Sequence, residues 1–230
     1  MQKGLIFGGI TLIIIIVIAV VTGGSGTEAP VEADVDAAPG ETPVVLETEG
    51  VGTAAYVLDA DASTLAWQAA KVIGSPHAGT TDFSSGDLTF EKGVFQEGSF
   101  IIDLTTIESD EGLDSLVDHL KNEDFFDVEN FPISTIEVTS MDALEDSDMM
   151  YTLTGDLTIL GETHEVTFPA EVIVTDGIMT AHAEFEIDRT VWGMTFSSGS
   201  IFKQLGDAAI KDDIAYTLDL VFEAAPEGIK

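Results

Sequence analysis

Side chains from residue 56 onward alternate between apolar and polar with a period of two, and this pattern constrains the fold more than any other feature of the chain. One row consists of Tyr151, Leu153, Gly155, Leu157 and Ile159. Comparable rows recur at 65–69, 100–104, 166–174, 181–187 and 216–222. Because successive side chains of a strand point to opposite faces, each row predicts a half-buried antiparallel strand.

Short polar segments with glycine separate these rows and predict turns. They are Ser85-Gly86-Asp87, Glu91-Lys92-Gly93, Leu160-Gly161-Glu162 and Thr175-Asp176-Gly177. About eight strands of this kind fit a closed antiparallel barrel, or failing that a sandwich. Such a barrel can be filled by side chains or enclose one slender ligand, and periodicity does not distinguish the two.

The segment between two of these rows combines a short helix with a group of aromatic residues. Its apolar positions follow helical spacing and predict a helix over about 109–121: Leu113, Leu116, Val117 and Leu120. Phe125, Phe126 and Phe131 come next, and Pro132 prevents the chain from becoming helical again. A helix that leads into an aromatic loop between strands suggests a lid over an apolar interior.

The first 53 residues differ in composition from the rest of the chain. Lys3 precedes an apolar run over 5–21, whose helical length of about 26 Å is slightly below the ~30 Å hydrocarbon core of a bilayer. Residues 1–22 are therefore either a signal peptide that is cleaved or a signal-anchor that is retained. In both cases we expect the rest of the chain to be exported, on the periplasmic or cell-surface side of the inner membrane.

Residues 23–53 are rich in small, proline and acidic residues and predict a disordered acidic linker, because they carry too little apolar surface to offset the entropy of ordering. Residues 54–225 then form the barrel domain, with ample length for one core. The absence of cysteine excludes disulfides and a lipoprotein anchor.

The charge balance is 42 acidic against 8 basic residues, a net charge of −34. Nucleic-acid binding is excluded because it needs a basic footprint, and electrostatic attachment to anionic lipid is disfavoured. Two explanations of this acidity remain. The protein belongs to a saline habitat, where salt screens the repulsion between like charges, or it has an ordinary solvated acidic surface.

No residue pattern of the sequence predicts catalysis or a metal site. The four histidines lack metal-ligand spacing, and neither a Gly-x-Ser-x-Gly elbow nor a cysteine nucleophile is present. Arg189 is the only arginine and follows Ile187 on the interior side of its row. We expect it either to cap backbone carbonyls or pair with a carboxylate at a barrel end, or to meet a ligand head group at the mouth.

Three motifs, in this order along the chain, are similar to those of one protein family. They are HLKNEDFFDV at 119–128 with Phe131-Pro132, GDLTI-x-G-x-T-x-x-V at 155–166, and Ile187-Asp188-Arg189-Thr190-x-Trp192-Gly193. Together they resemble the YceI-like family of polyisoprenoid-binding, lipocalin-like proteins, and the resemblance extends over 64–224. One departure is Asn122, where the family commonly has serine.

The resemblance implies an all-β, eight-stranded antiparallel lipocalin-like barrel around an apolar tunnel for a long isoprenoid chain. We therefore predict an exported, membrane-tethered binding protein for an isoprenoid lipid or isoprenoid quinone, not an enzyme. No other cofactor is implied, and a homodimer is left open. The alternative is an envelope stress or interaction module whose barrel is filled and takes no ligand.

The predicted ligand-binding side chains combine the inward rows with the motif residues. They are Trp67, Phe90, Phe100, Ile102, Leu104, Phe125, Phe126, Phe131, Leu153, Leu157, Phe168, Phe185, Ile187, Arg189, Trp192 and Leu218.

Overall fold

One antiparallel sheet organises the computed structural model, which describes residues 52–144, 147 and 149–225. The described strands are β1 (Thr53–Leu58), β2 (Thr64–Ala69), β3 (His77–Glu91), β4 (Val94–Asp103), β5 (Ile133–Ala143), β6 (Met150–Ile159), β7 (Glu162–Thr175), β8 (Ile178–Asp188) and β9 (Asp213–Ala224). The predicted membrane segment, 1–22, and the predicted linker up to residue 51 lie outside the described residues.

The sheet closes into a barrel with eight strand positions. β1 and β2 lie end to end, because both pair with β3 on one side and with β9 on the other. β4 through β9 pair in sequence order, and the pairing of β3 with β4 completes the ring. The predicted eight-stranded antiparallel barrel is therefore confirmed, with one strand position interrupted at 59–63.

Three of the four predicted turns are two-residue hairpin loops in which both residues have positive φ. The loops are Lys92-Gly93 (φ 53° and 80°), Leu160-Gly161 (53° and 77°) and Asp176-Gly177 (52° and 81°). This conformation matches the right-handed twist of the flanking strands, and a glycine reduces its steric cost.

The turn predicted at Ser85-Gly86-Asp87 is wrong, because β3 runs without a break through these residues. The ladder between β3 and β4 shifts register between Phe83 and Ser85. A Cβ on Gly86 would lie 2.5 Å from Cδ1 of Phe100, so the glycine makes room for that ring instead of turning the chain.

The helix is present but begins later than predicted. α1 covers Asp114–Lys121 and lies in the connection between β4 and β5. Gly112, just before the helix, has a φ of 65°, which is not helical, so the helix begins only after it. The described connections also contain short 3₁₀ segments at Leu104–Thr106, Arg189–Trp192 and Lys203–Ala208.

The two ends of the barrel are built differently. The end with the 92–93 and 176–177 turns, here called the packed end, holds interlocked rings: Phe90 lies 5.9 Å from Tyr56 and 5.8 Å from Phe95, both edge to face. Phe90, Met179 and Phe222 have no exposed surface there. The opposite end, here called the helix end, is covered by α1 and the long connections.

Gly79 provides a test of how tightly the helix end is packed. A Cβ at this position would lie 1.9 Å from the Glu108 carbonyl oxygen and 2.6 Å from Cζ2 of Trp67. We expect Gly79→Ala to lower the free energy of unfolding by about 3 kcal/mol, because backbone must shift to admit the methyl group. Gly52→Ala, which meets nothing within 4 Å, is the control in chemical denaturation. Equal stability of the two variants would contradict the packing described.

Candidate functional site

The half of the barrel nearer the helix end encloses an apolar cavity of about 120 Å³. This is roughly ten times the minimum space that one water molecule requires. Arg189 is the only charged residue of its lining, and Thr81, Ser134 and Tyr216 are the polar ones. All other lining side chains are apolar, so the cavity suits a hydrocarbon and offers little to an ionic ligand.

Most predicted ligand-binding residues surround this cavity. The lining includes Trp67, Phe100, Ile102, Leu104, Phe125, Phe126, Leu153, Leu157, Phe168, Phe185, Arg189 and Leu218. They come from seven strand or loop segments that are distant in sequence, and the closed sheet brings their inward faces together.

Four predicted residues lie elsewhere. Phe90 fills the packed end, and Ile187 is a buried core residue outside the lining. The Trp192 indole donates a hydrogen bond to the Leu157 carbonyl, 3.0 Å away, so its polar atom is already satisfied. Phe131 is half-buried, with its Cε1 only 3.2 Å from the position of a Cβ on Gly161, and thus packs on the β6–β7 turn.

Small side chains create the space that the larger ones surround. Ala170, Ala181 and Ala183, which share the inward phase of the aromatics, all line the cavity, as does Ala69. Gly155 has a different role: a Cβ there would lie 2.9 Å from the Glu137 carbonyl oxygen, so it permits close approach of β5.

Several lining residues were missed by the sequence analysis. Leu65 and Leu220 have the same alternating phase as Trp67 and Leu218 and were detectable from it. Phe83 is out of phase with Phe90, because the register of β3 shifts between Phe83 and Ser85. Ile210 lies in a long connection without periodicity, and no sequence signal places it at the cavity.

Two phenylalanines of the loop after α1 close the cavity. Phe125 is buried and Phe126 half-buried, and both line the cavity. The backbone N–H of Phe126 donates to the Leu120 carbonyl at 3.0 Å, which folds the loop back onto the helix. His119 Nε2 lies 2.9 Å from Asp124 Oδ2, and the His119 ring packs edge to face on Phe125 at 5.1 Å.

Arg189 is buried and anchors the connection that follows β8. Its guanidinium donates to the carbonyls of Met194, Lys211 and Ile210, and its Nη2 lies 3.5 Å from Oδ1 of Asp212. Burial lowers the pKa of Arg189, while the charge of Asp212 opposes that shift. Two roles were expected for Arg189: a structural one, in which it caps carbonyls or pairs with a carboxylate, and contact with a ligand head group. The structural role accounts for all these contacts.

The carboxyl group of Asp212 has a pKa below its ordinary value. Burial alone would raise this pKa, but interactions with the hydroxyls of Ser200 and Ser198 and with the Arg189 charge outweigh burial. Asp212 therefore stays ionised and compensates the buried guanidinium.

Two buried polar atoms of the lining residues have no hydrogen-bond partner among the described residues. They are Nε1 of Trp67 and Oγ of Ser134. Tyr216 lies directly opposite Trp67 on β9, and burial raises the pKa of its hydroxyl. Neither Trp67 Nε1 nor Ser134 Oγ has exposed surface, so the open space of the cavity is bounded by apolar atoms and these two groups do not reach it.

Two further features, a metal-binding cluster and a membrane-spanning helix, are absent from the described residues. No group of three or more metal-binding side chains occurs there. No helix in that part of the chain is long and apolar enough to cross a membrane.

The closed eight-stranded barrel with an apolar cavity under a short helix defines a lipocalin-like protein. The sequence model of the YceI-like domain matches residues 56–222. The chain therefore belongs to the YceI-like family.

Solved structures support the same fold. BcnA of Burkholderia cenocepacia is 22% identical, with a TM-score of 0.59, and the match covers 71% of this chain and 98% of that protein. A polyisoprenoid binding domain from Saccharophagus degradans, implicated in plant cell wall breakdown, is 15% identical, with a TM-score of 0.55 and coverage of 74% and 98%. The comparison with curated proteins found no match.

The pair of Arg189 and Asp212 predicts a defined pH dependence of stability. Because the folded pKa of Asp212 is depressed, its contribution is present above the unfolded-state value of about 3.9 and is lost as pH falls through the folded value. We expect Asp212→Asn to lower the free energy of unfolding at pH 7 by roughly 2 kcal/mol. The difference from the unchanged protein should shrink as pH falls below about 3.9 and vanish once the carboxyl is protonated in the folded protein as well.

The exposed neighbour Asp213 supplies the control, since Asp213→Asn should change little at any pH. Denaturant unfolding of the three proteins across the pH range measures the effect. A cost of Asp212→Asn that does not fall at all as the pH is lowered from 7 through the acid range would show that the carboxylate charge contributes nothing.

Proposed function

We propose that this protein binds a long-chain isoprenoid lipid or isoprenoid quinone in the barrel cavity and acts as a carrier or reservoir, not as an enzyme. The observation that carries the proposal is the apolar cavity inside the barrel, whose lining includes Phe125 and Phe126. A barrel whose only task is protein interaction has no need of such a space, because an empty cavity costs stability.

The lining is sufficient to hold a hydrocarbon chain. Burial is worth ~0.8 kcal/mol per CH₂, so one five-carbon unit contributes about 3–4 kcal/mol gross. Several units therefore outweigh the cost of association. Because eight strands enclose only a narrow interior, a single slender chain fits better than a lipid with several chains.

The open space of the cavity is bounded by apolar atoms, which match the hydrocarbon part of an isoprenoid and give no preference for its head group. The neighbour from Saccharophagus degradans, described as a polyisoprenoid binding domain, supports the same ligand class for this chain.

We place the protein outside the inner membrane, tethered by 5–22 unless that segment is cleaved. The apolar run after Lys3 and the polar linker up to residue 53 support this arrangement. Export fits a carrier, because a lipid that leaves the bilayer for an aqueous compartment must be shielded from water.

Native mass spectrometry of the full chain purified from bacterial membranes tests the proposal. We expect a bound isoprenoid lipid, and uptake of an added polyprenol or quinone by delipidated protein. Ala181→Leu should fill part of the cavity and reduce uptake at least severalfold while the barrel stays folded. Ala66→Leu places the same side chain on the outer face of β2 and is the control. No bound lipid and no uptake by the unchanged protein would favour the filled interaction module instead.

The aromatic lid generates a second prediction. A buried Phe→Ala change costs ~3–5 kcal/mol of stability, but a half-buried residue that rests on a ligand should cost less in the empty protein. We expect Phe126→Ala to lower the unfolding temperature more in the loaded than in the delipidated protein, and to speed lipid loss.

The control is Phe131→Ala, since Phe131 is also half-buried but lies outside the cavity. Its cost should be the same with and without lipid. If Phe126→Ala destabilises both forms equally, Phe126 is a plain core residue and the lid interpretation fails.

A further inference from the structure

Two segments at the helix end pack together into one continuous surface, here called the docking surface. They are residues 70–76, after β2, and residues 193–211, between β8 and β9. The Val72 N–H donates to the Ala209 carbonyl at 2.8 Å, and the Lys211 N–H donates to the Ala70 carbonyl at 2.9 Å. Each segment thus fixes the position of the other.

The docking surface exposes large apolar side chains to solvent. Ile73 is 63% exposed, Val72 50%, Ile201 48% and Phe202 39%. Isolated exposed apolar residues are ordinary, but several on adjoining segments mark an interaction site. Among the described residues, these four belong neither to the buried core nor to the partly buried apolar residues packed against it.

The charge of the docking surface is opposite to that of the whole protein. Its ionisable residues are Lys71, Lys203 and Lys211 against the single carboxylate of Asp207. All four are exposed. In a chain with 42 acidic and 8 basic residues, a local excess of lysine beside exposed isoleucine and phenylalanine is a strong departure from the average composition.

The docking surface is joined directly to the cavity. Its Ile210 lines the cavity, and the carbonyls of Met194, Ile210 and Lys211 are those held by Arg189. The packed end is filled with interlocked aromatic rings, so a chain that enters or leaves the cavity does so at the helix end.

We infer that the docking surface binds the surface of a phospholipid bilayer. The exposed isoleucines, Val72 and Phe202 enter the boundary between headgroups and acyl chains, and the lysines extend to the phosphates. Glu123 and Asp124 line a surface pocket together with Phe202 and weaken the attraction to the bilayer, so the exposed apolar side chains supply most of it. Carboxylates more than about 8 Å from the bilayer are largely screened at physiological salt. The surface then presents the cavity to the membrane from which a lipid is taken.

This inference extends the proposed function, but its test is independent of whether a lipid occupies the cavity. Since the chain has no cysteine, a single engineered one can carry an environment-sensitive dye. We would label Ile73→Cys at the docking surface and, as control, Ile178→Cys, an isoleucine that is 40% exposed at the packed end.

The labelled full-length chains are mixed with vesicles of phosphatidylcholine and phosphatidylglycerol whose acyl chains carry a spin-label quencher. We expect a blue shift and at least severalfold stronger quenching of the dye at position 73 than at position 178. Because both proteins retain the N-terminal segment, any anchoring through it is the same in the two samples.

Adding Lys71→Glu and Lys203→Glu to the Ile73→Cys protein tests the contribution of charge. At about 1 kcal/mol per lysine, loss of the two should lower the ratio of docked to undocked protein roughly 30-fold. Equal quenching at positions 73 and 178, or none at either, would overturn the inference. A blue shift at position 73 that rises with protein concentration without vesicles would show that a second copy, not a bilayer, covers this surface.

Discussion

Closure of the sheet through the pairing of β3 with β4 is the constraint on which the rest of the structure depends. Once the ring is complete, the strands have no free edge, and every inward position faces the same enclosed space. The interior of an eight-stranded barrel is narrow, so the size of each inward side chain decides whether a level of the barrel is filled or empty. The interrupted strand formed by β1 and β2 shows that closure tolerates a break at 59–63, provided both pieces keep their partners β3 and β9.

The barrel uses this sensitivity to side-chain size to divide its interior. At the packed end, phenylalanine and tyrosine rings interlock around Phe90 and Phe222 and leave no room. Directly beside this filled level, alanines at 170, 181 and 183 occupy inward positions, and the space between the aromatics stays open. The filled level thus supplies tight apolar contacts, whereas the level beside it leaves the space in which we propose that a ligand binds.

Arg189 connects the cavity to the outer surface of the helix end. A guanidinium buried among carbonyls of the 193–211 connection is unfavourable unless each of its donors and its charge are matched, and Asp212 supplies the balancing charge. The contact of Arg189 with the Phe125 ring, 5.8 Å from guanidinium to centroid, extends the same cluster to the lid. Arg189 therefore contacts both Phe125 and the 193–211 connection, and Asp212 balances its charge.

Alternation in the sequence predicted the strands that became β2, β4, β6, β7, β8 and β9 and three of the hairpin turns, because a two-residue period and turn residues are local properties. It left a barrel and a sandwich open, and the resemblance to a family pointed to the eight-stranded barrel. Which inward residues meet the cavity depends on contacts between strands far apart in sequence. Phe90 and Phe168 are both inward-facing phenylalanines, yet Phe90 fills the packed end and Phe168 lines the cavity. The difference is their position along the barrel axis, which depends on the pairing register of the strands. The long connection after β8 has no alternating pattern, so nothing local places its Ile210 at the cavity. That position follows from contacts with a segment far away in sequence, such as the hydrogen bond from Val72 to Ala209.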